Sequence, residues 1–162
     1  MQIGIQSGYV LLSTALAIPN DGKILSIDYG LGNYQLYFPI IEKAGMAHKI
    51  GYNRSPISLV TEDEKYHGAF DFIYVDAHKT ICSASHTTLI DLVRIGGVIV
   101  YDKIFLSDTL GTLRIVSDED ASGTRYYGDP VLLFNEIVAS DPRVEICQVP
   151  VGIGVTLCLR LR

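Results

Sequence analysis

Two segments carry an apolar run that ends on an aspartate: Tyr74-Val75-Asp76-Ala77-His78-Lys79 and Gly96-Gly97-Val98-Ile99-Val100-Tyr101-Asp102. A parallel sheet delivers strand-end residues to one edge, and open α/β folds bind ligands in the crevice there. Asp76 and Asp102, converging with the Lys79 amine, suit two tasks. Their oxygens can hold a divalent cation, or the group as a whole can move a proton.

A third segment, Ile3-Gly4-Ile5-Gln6-Ser7-Gly8-Tyr9, links an extended start to a helix. Glycines there let a ligand approach the backbone, since no Cβ intervenes. The spacing is G-x-x-x-G, not the G-x-G-x-x-G of dinucleotide binders, so a nucleoside without phosphates fits better than a pyrophosphate. Asp28 ends the next apolar run, where a carboxylate can accept both ribose hydroxyls. Ordinary turn chemistry accounts for two glycines and one aspartate equally well. His78, Cys82 and His86 fall four apart and share a helix face, which invites a zinc site. Such a stripe supplies three ligands at best, and a partly buried histidine beside small residues is the plainer account.

These residues need a scaffold, and strands alternate with helices along the chain. Met1 to Ile5 reads as extended, Tyr9 to Ala17 as a helix stopped by Pro19-Asn20-Asp21-Gly22, and Lys23 to Asp28 as a strand. Asn33 to Gly45 reads as a helix with Gly45 at its C-cap, His48 to Tyr52 as a strand, and Glu62-Asp63-Glu64-Lys65 as a solvated helix end. Phe70 to Asp76, Thr87 to Arg94 and Val98 to Asp102 continue as strand, helix and strand, with Gly96-Gly97 at the turn between the last two. Ser107 to Gly128 reads as a mobile surface loop. Val131 to Ala139 follows as a helix, with Asp129-Pro130 as cap and first position. Val144 to Val149 and Gly154 to Leu161 close as a hairpin-like pair of strands around Pro150-Val151-Gly152. The expected fold is α/β: a doubly wound, mostly parallel central sheet with one antiparallel C-terminal strand and helices on both faces.

The chain of 162 residues is long enough for one domain with a real core, and 48% apolar with 19% charged residues fits a globular protein. No apolar run reaches the length of a membrane span and no signal peptide is evident, so no membrane partner is expected. A net charge of -5 argues against nucleic acid, whose phosphates call for clustered Lys and Arg. Three scattered cysteines, Cys82, Cys147 and Cys158, point to a reduced, cytoplasmic setting rather than a disulfide framework.

The chain resembles the plant caffeoyl-coenzyme A O-methyltransferase family, within the class I S-adenosylmethionine-dependent, cation-dependent O-methyltransferases. The likeness is carried by Ile3-Gly4…Gly8-Tyr9, Pro39-Ile40-Ile41-Glu42-Lys43-Ala44-Gly45, Ala47-His48-Lys49-Ile50, Phe72-Ile73-Tyr74-Val75-Asp76-Ala77, Leu89-Ile90-Asp91-Leu92-Val93, Gly96-Gly97-Val98-Ile99, Asp141-Pro142-Arg143-Val144-Glu145-Ile146 and Pro150-Val151-Gly152. The resemblance implies a Rossmann-like methyltransferase core over residues 1–162. It also implies methyl transfer from S-adenosylmethionine to a catechol hydroxyl of a phenylpropanoid coenzyme A ester, assisted by magnesium, manganese or calcium. On that basis Gln2, Gly4, Ile5, Gly8, Asp28, Ile57 and His78 would bind the cofactor, and Asp76, Asp102 and the position of Lys103 the metal. Lys79, with Asp76, would be catalytic, and Asp76, Ser107 and Tyr127 would meet the substrate. A homodimer is expected as well.

Several positions depart from the family pattern. Gln2 stands for a glutamate, Val10 for a serine, His78 for an acidic residue and Lys103 for the asparagine that completes the metal site. The stretch from Asp108 to Gly123 lacks the basic and aromatic acyl-coenzyme A contacts, although Arg125, Tyr126 and Tyr127 persist. The chain starts at the first core strand, without the family's N-terminal helices, which should leave apolar surface exposed for self-association. Lys103 matters most: an ammonium about 5 Å away costs roughly 3 kcal/mol for each unit of a bound cation's charge at an effective dielectric near 20, or about two decades of affinity. Lys103 is therefore expected to weaken or replace the metal by pairing with Asp76 or Asp102. The expected activity is an impaired O-methyltransferase; the alternative is a non-catalytic adenosyl-binding or interaction module.

Overall fold

The computed structural model describes residues 1–5, 8–28, 31–54, 56–104 and 128–162. In chain order the elements are β1 (Gln2–Ile3), α1 (Tyr9–Ala17), β2 (Ile24–Ile27), α2 (Leu31–Lys43), β3 (Ile50–Asn53), α3 (Ile57–Thr61), β4 (Phe70–Val75), α4 (Lys79–Leu92), β5 (Val93–Asp102), α5 (Gly128–Ser140), β6 (Val144–Val149) and β7 (Val155–Arg160). The strands form one seven-stranded sheet in the order β3-β2-β1-β4-β5-β7-β6. β3, β2, β1, β4 and β5 run parallel; β7 is antiparallel to both of its neighbours and is the one reversed strand. The chain moves outward from β1 to β3 and then returns to lay β4 against the other side of β1. That reversal creates a switch point between β1 and β4, where open α/β sheets leave a ligand crevice.

Successive strand side chains point to opposite faces, and the core divides accordingly. On one side Ile24 packs with Leu11 and Ala15 of α1 and Ile41 of α2. On the other, Ile27, Ile73, Val75 and Ile99 pack with Cys82 and Leu89 of α4 and Phe134 and Val138 of α5. Helix ends are closed by specific groups. Gly45 takes a left-handed φ of 75°; its N–H donates to the Glu42 carbonyl and that of Met46 to the Ile41 carbonyl, the Schellman pattern expected of a glycine stop. Buried Lys49 donates from Nζ to the carbonyls of Ala15 and Ile18 at the end of α1, at 2.8 and 3.0 Å. Arg160 does the same for α4, reaching the Ile90 and Val93 carbonyls at 2.7 and 2.6 Å.

Several boundaries differ from the sequence expectation. α4 starts at Lys79 and stops at Leu92, where a helix over Thr87 to Arg94 is expected. β5 begins at Val93, because Val93 pairs with Phe70 before the register jumps to Phe72 opposite Val98. Two residues of β4 thus face five of β5, a bulge that absorbs Gly96, with φ of 76°, and Gly97. A Cβ on Gly97 would lie 2.6 Å from Val93 Cγ2 and 2.9 Å from the Asp71 carbonyl oxygen, so the bulge closes only around glycine. The charged run is not a helix end: α3 stops at Thr61, and Glu64–Tyr66 form a separate 3₁₀ turn capped by the Asp63 carboxylate. α5 opens at Gly128, so Asp129 lies inside the helix instead of capping it. The expected loop, with Ser107, the Asp108 to Gly123 stretch, Arg125, Tyr126 and Tyr127, falls outside the described residues up to 127.

Candidate active site

Register places the strand-end residues together. Ile3 is level with Ile27 on one side and Val75 on the other, and Val75 is level with Tyr101. The next positions, Gly4, Asp28, Asp76 and Asp102, therefore share one rim across four adjacent parallel strands. The aspartates come from segments far apart in sequence, and parallel pairing alone brings them to the same edge.

At the β1 end, Gly4 has a φ of 84° and donates its N–H to the Ile27 carbonyl at 2.9 Å. A Cβ at this position would run into the Asp76 carbonyl oxygen, so only glycine lets the β1 and β4 ends come this close. The Asp28 carboxylate turns toward the same turn, and its Oδ2 accepts the Ile5 N–H at 2.5 Å. Gly8, with a left-handed φ of 65°, opens α1 against the Tyr37 side chain. Gln2 is buried in β1 and donates from Nε2 to the Gly4 carbonyl at 3.2 Å, while its Oε1 is buried with no hydrogen-bond partner among the described residues. Ile57 opens α3 and packs against the larger core cluster. Exposed His78 sits just ahead of α4, its Nδ1 2.9 Å from Thr80 Oγ1.

At the β4 and β5 ends, two carboxylates, two amines and a phenol interlock. The Lys103 ammonium donates to both oxygens of Asp76, at 2.8 and 3.2 Å. The Lys103 backbone N–H donates to Oδ1 of Asp102 at 2.7 Å, and the Tyr74 hydroxyl donates to Oδ2 of Asp102 at 2.6 Å. Lys79, in the first turn of α4, is buried; its Nζ donates to the main-chain carbonyl of Asp102 and lies 5.6 Å from the centre of the Phe134 ring. Burial pulls the Lys79 pKa below that of an ordinary lysine, opposed in part by Asp102 and Asp76. Burial, reinforced by the Asp102 carboxylate, pushes the Tyr74 phenol well up, so it is a hydrogen-bond donor throughout the physiological range.

The sequence puts Tyr74 in the motif without assigning it a role, although a signal existed. It lies two positions before Asp76 on β4 and so faces the same side. It is level with Val100, which makes Asp102 its diagonal cross-strand neighbour. The zinc stripe does not assemble. Cys82 donates to the Ala77 carbonyl at 3.4 Å, and His86 turns into the core to share a 2.8 Å hydrogen bond with the Tyr101 hydroxyl. His86 is completely buried beside the Tyr101 and Phe134 rings, not partly buried among small residues. Among the described residues, no cluster of three or more His, Cys, Asp or Glu side chains is gathered to hold a metal.

The donor set at the rim does not fit a divalent cation. Such ions take oxygen ligands from carboxylates and carbonyls. Here both Asp76 oxygens face an ammonium, and both Asp102 oxygens already accept hydrogen bonds. The adenosyl half of the rim is different. A glycine with no Cβ beside Asp76, next to the Asp28 carboxylate, is the cradle a nucleoside needs, so these residues do fit an adenosyl ligand.

The family profile described as O-methyltransferase matches residues 1–161. The chain belongs to that family. It is 51% identical over 168 aligned positions to a caffeoyl-CoA O-methyltransferase of Zinnia elegans, covering 99% of this chain and 66% of the relative. Against caffeoyl-CoA O-methyltransferase 1 of Arabidopsis thaliana the identity is 50%, with 99% of this chain and 63% of the relative covered. The chain thus spans just under two thirds of these relatives' length. Among solved structures, the O-methyltransferase TomG of Streptomyces achromogenes, in complex with SAM, superposes with a TM-score of 0.77 at 25% identity, over 99% of this chain and 72% of that one. An SAH-bound methyltransferase of Podospora anserina gives a TM-score of 0.75 at 22% identity, over 99% and 70%, and the fold is the same. The doubly wound sheet of this family member, with its one reversed strand, is thereby the class I methyltransferase architecture. No helix among its described residues is long and apolar enough to cross a membrane.

Proposed function

We propose that the chain is the core, over residues 1–162, of an S-adenosylmethionine-dependent O-methyltransferase of the caffeoyl-coenzyme A type. Its acceptor is a phenolic hydroxyl on a phenylpropanoid coenzyme A ester. The observation that carries this reading is the single rim on which Gly4, Asp28, Asp76 and Asp102 stand level with one another. Support also comes from relatives at about half identity that are named for this activity.

In this reading Gly4, Ile5 and Gly8 form the backbone floor beneath the adenosyl and methionine groups, Gln2 and Ile57 flank it, and Asp28 accepts the ribose hydroxyls. Bound S-adenosylmethionine supplies an electrophilic methyl on a sulfonium: the acceptor oxygen forms the new C–O bond as the C–S bond breaks and its electron pair stays on sulfur. The acceptor's proton leaves to Lys79, which burial biases toward the neutral form able to take it. Asp102 orients Lys79 through its main-chain carbonyl, and Asp76 serves the acceptor's side of the rim; Ser107 and Tyr127, the other substrate residues the resemblance implies, lie outside the described residues. The same proposal places the protein in the cytoplasm as a homodimer.

Radiolabelled methyl transfer to caffeoyl-coenzyme A tests the reading, and product above the buffer blank is expected. One observation favours a second reading: Asp76 is already engaged by Lys103. A chain that binds S-adenosylhomocysteine in a calorimeter yet yields no product with any phenolic ester would be a non-catalytic adenosyl-binding module.

A further inference from the structure

The rim contains a charge that the methyl-transfer chemistry above leaves unused. Lys103 follows the last residue of β5 and holds a left-handed φ of 59°, the only non-glycine residue among those described to do so. A lysine gains nothing locally from that conformation, since its Cβ crowds the backbone; it persists only where the surroundings dictate it. Among the described residues, two carboxylates do so. The Lys103 N–H is held by Asp102 Oδ1 at 2.7 Å, and its Nζ returns across the strand end to Asp76 at 2.8 and 3.2 Å. The residue is pinned at both ends, one carboxylate to each.

The position of the ammonium is equally specific. The Asp76 side chain is only 12% exposed, and both of its oxygens accept from the Lys103 ammonium. A cation seeking those oxygens has to displace the ammonium that holds them. The second carboxylate is engaged too, its two oxygens accepting from the Tyr74 hydroxyl and the Lys103 N–H.

We infer that Lys103 is a built-in replacement for the divalent cation at this rim. Its ammonium neutralises Asp76, faces the acceptor oxygen with positive charge, and closes the site to metal, so that the chain works independently of divalent ions. The inference rests on the methyl-transfer reading for what the charge acts upon, but the exclusion of metal follows from the contacts alone.

Manganese is the probe, with free Mn²⁺ followed by electron paramagnetic resonance as the 162-residue chain is added. Calorimetry with S-adenosylhomocysteine is run on the same samples. The native chain is expected to leave the manganese signal unchanged, whereas Lys103→Asn, folded and binding S-adenosylhomocysteine like the native chain, takes up one ion at least about a hundredfold more tightly. Stoichiometric uptake by the native chain overturns the inference whatever the variant does. A folded Lys103→Asn that gains no affinity overturns it as well. If that variant does not fold, Lys103→Met, which keeps the stem and removes the charge, takes its place under the same criterion. Manganese excluded while S-adenosylhomocysteine also fails to bind would sink the methyl-transfer reading and leave the Lys103 assignment in place.

Discussion

The Tyr74 hydroxyl donates to Oδ2 of Asp102 across 2.6 Å, although the two residues lie 28 apart in the chain. The bond ties β4 to β5 at the point where the rim begins, and it fixes the rotamer of a carboxylate whose other oxygen holds Lys103. Removing it isolates one contribution to the geometry. Tyr74→Phe leaves a partly buried carboxylate oxygen without its donor, and should cost about 1–3 kcal/mol of stability, measured as a shift in the urea midpoint at constant slope.

Gly4→Ala is expected to be much more damaging than its size suggests. It forces a left-handed φ on alanine and drives a methyl group into the Asp76 carbonyl. The backbone term of about 1–2 kcal/mol and an overpacking term of similar size add to about 3 kcal/mol. For a chain of this length that lowers the melting temperature by roughly 6–12 °C, readable by circular dichroism.

Asp28→Asn keeps an oxygen that can accept the Ile5 N–H but loses the charge that would receive ribose hydroxyls. Charge-assisted hydrogen bonds contribute about 1.5–3 kcal/mol each, so S-adenosylhomocysteine affinity should fall roughly tenfold to hundredfold. The variant's melting temperature without ligand should stay near that of the native chain. Unchanged affinity in calorimetry would remove Asp28 from the adenosyl site.

His86 links stability to pH. Burial holds its pKa down to about 4 from 6.5, with Asp141 opposing. The folded state therefore keeps His86 neutral where the unfolded chain has already taken up a proton. Its contribution is complete above about pH 6.5 and drains away as pH falls to about 4, to a total on the order of 3 kcal/mol. Below that, Asp141, held under the usual carboxylate range by its hydrogen bond to Arg143, adds a further loss as it protonates. Denaturation midpoints measured from pH 7 to 4 should show this slope, and His86→Phe should flatten it.

The three free cysteines should separate cleanly under a thiol reagent. Cys147 on β6 is exposed, whereas Cys82 and Cys158 are buried, and burial raises the Cys82 thiol and pushes that of Cys158 up to about 12. One thiol per chain should react rapidly under native conditions and two only after unfolding. Rapid reaction of all three would contradict the packing of α4 and β7.

What could be read from residue order alone was whatever local chemistry decides. Tyr9 to Ala17 is helical over the expected residues, because glycine and a Pro-Asn-Asp-Gly cluster bracket it. Gly45 stops α2 because a left-handed residue was needed there. Asp28, Asp76 and Asp102 reach one rim because an apolar run ending on an aspartate is a strand-end signature wherever it occurs. Features that depend on distant partners were not legible. β5 starts five residues early because Phe70 is there to pair with Val93, and the glycines are consumed in a bulge rather than a turn. Lys49 and Arg160 look like surface charges, yet each completes the carbonyl end of a helix that lies elsewhere in the chain. Tyr9 is 73% exposed because α1 turns its Leu11 and Ala15 face to Ile24.

The reversed strand has a consequence for how the protein is made. β7 lies between β5 and β6, so residues 155–160 fill an interior place in the sheet although they emerge from the ribosome after all six other strands. Until they arrive, β5 presents the unpaired backbone of residues 98–102 on that side. An exposed edge of this length invites pairing with other chains. During synthesis the nascent protein is therefore most exposed to aggregation just before its seventh strand slots in, and premature termination in that window would leave a sticky product rather than a slightly shorter enzyme.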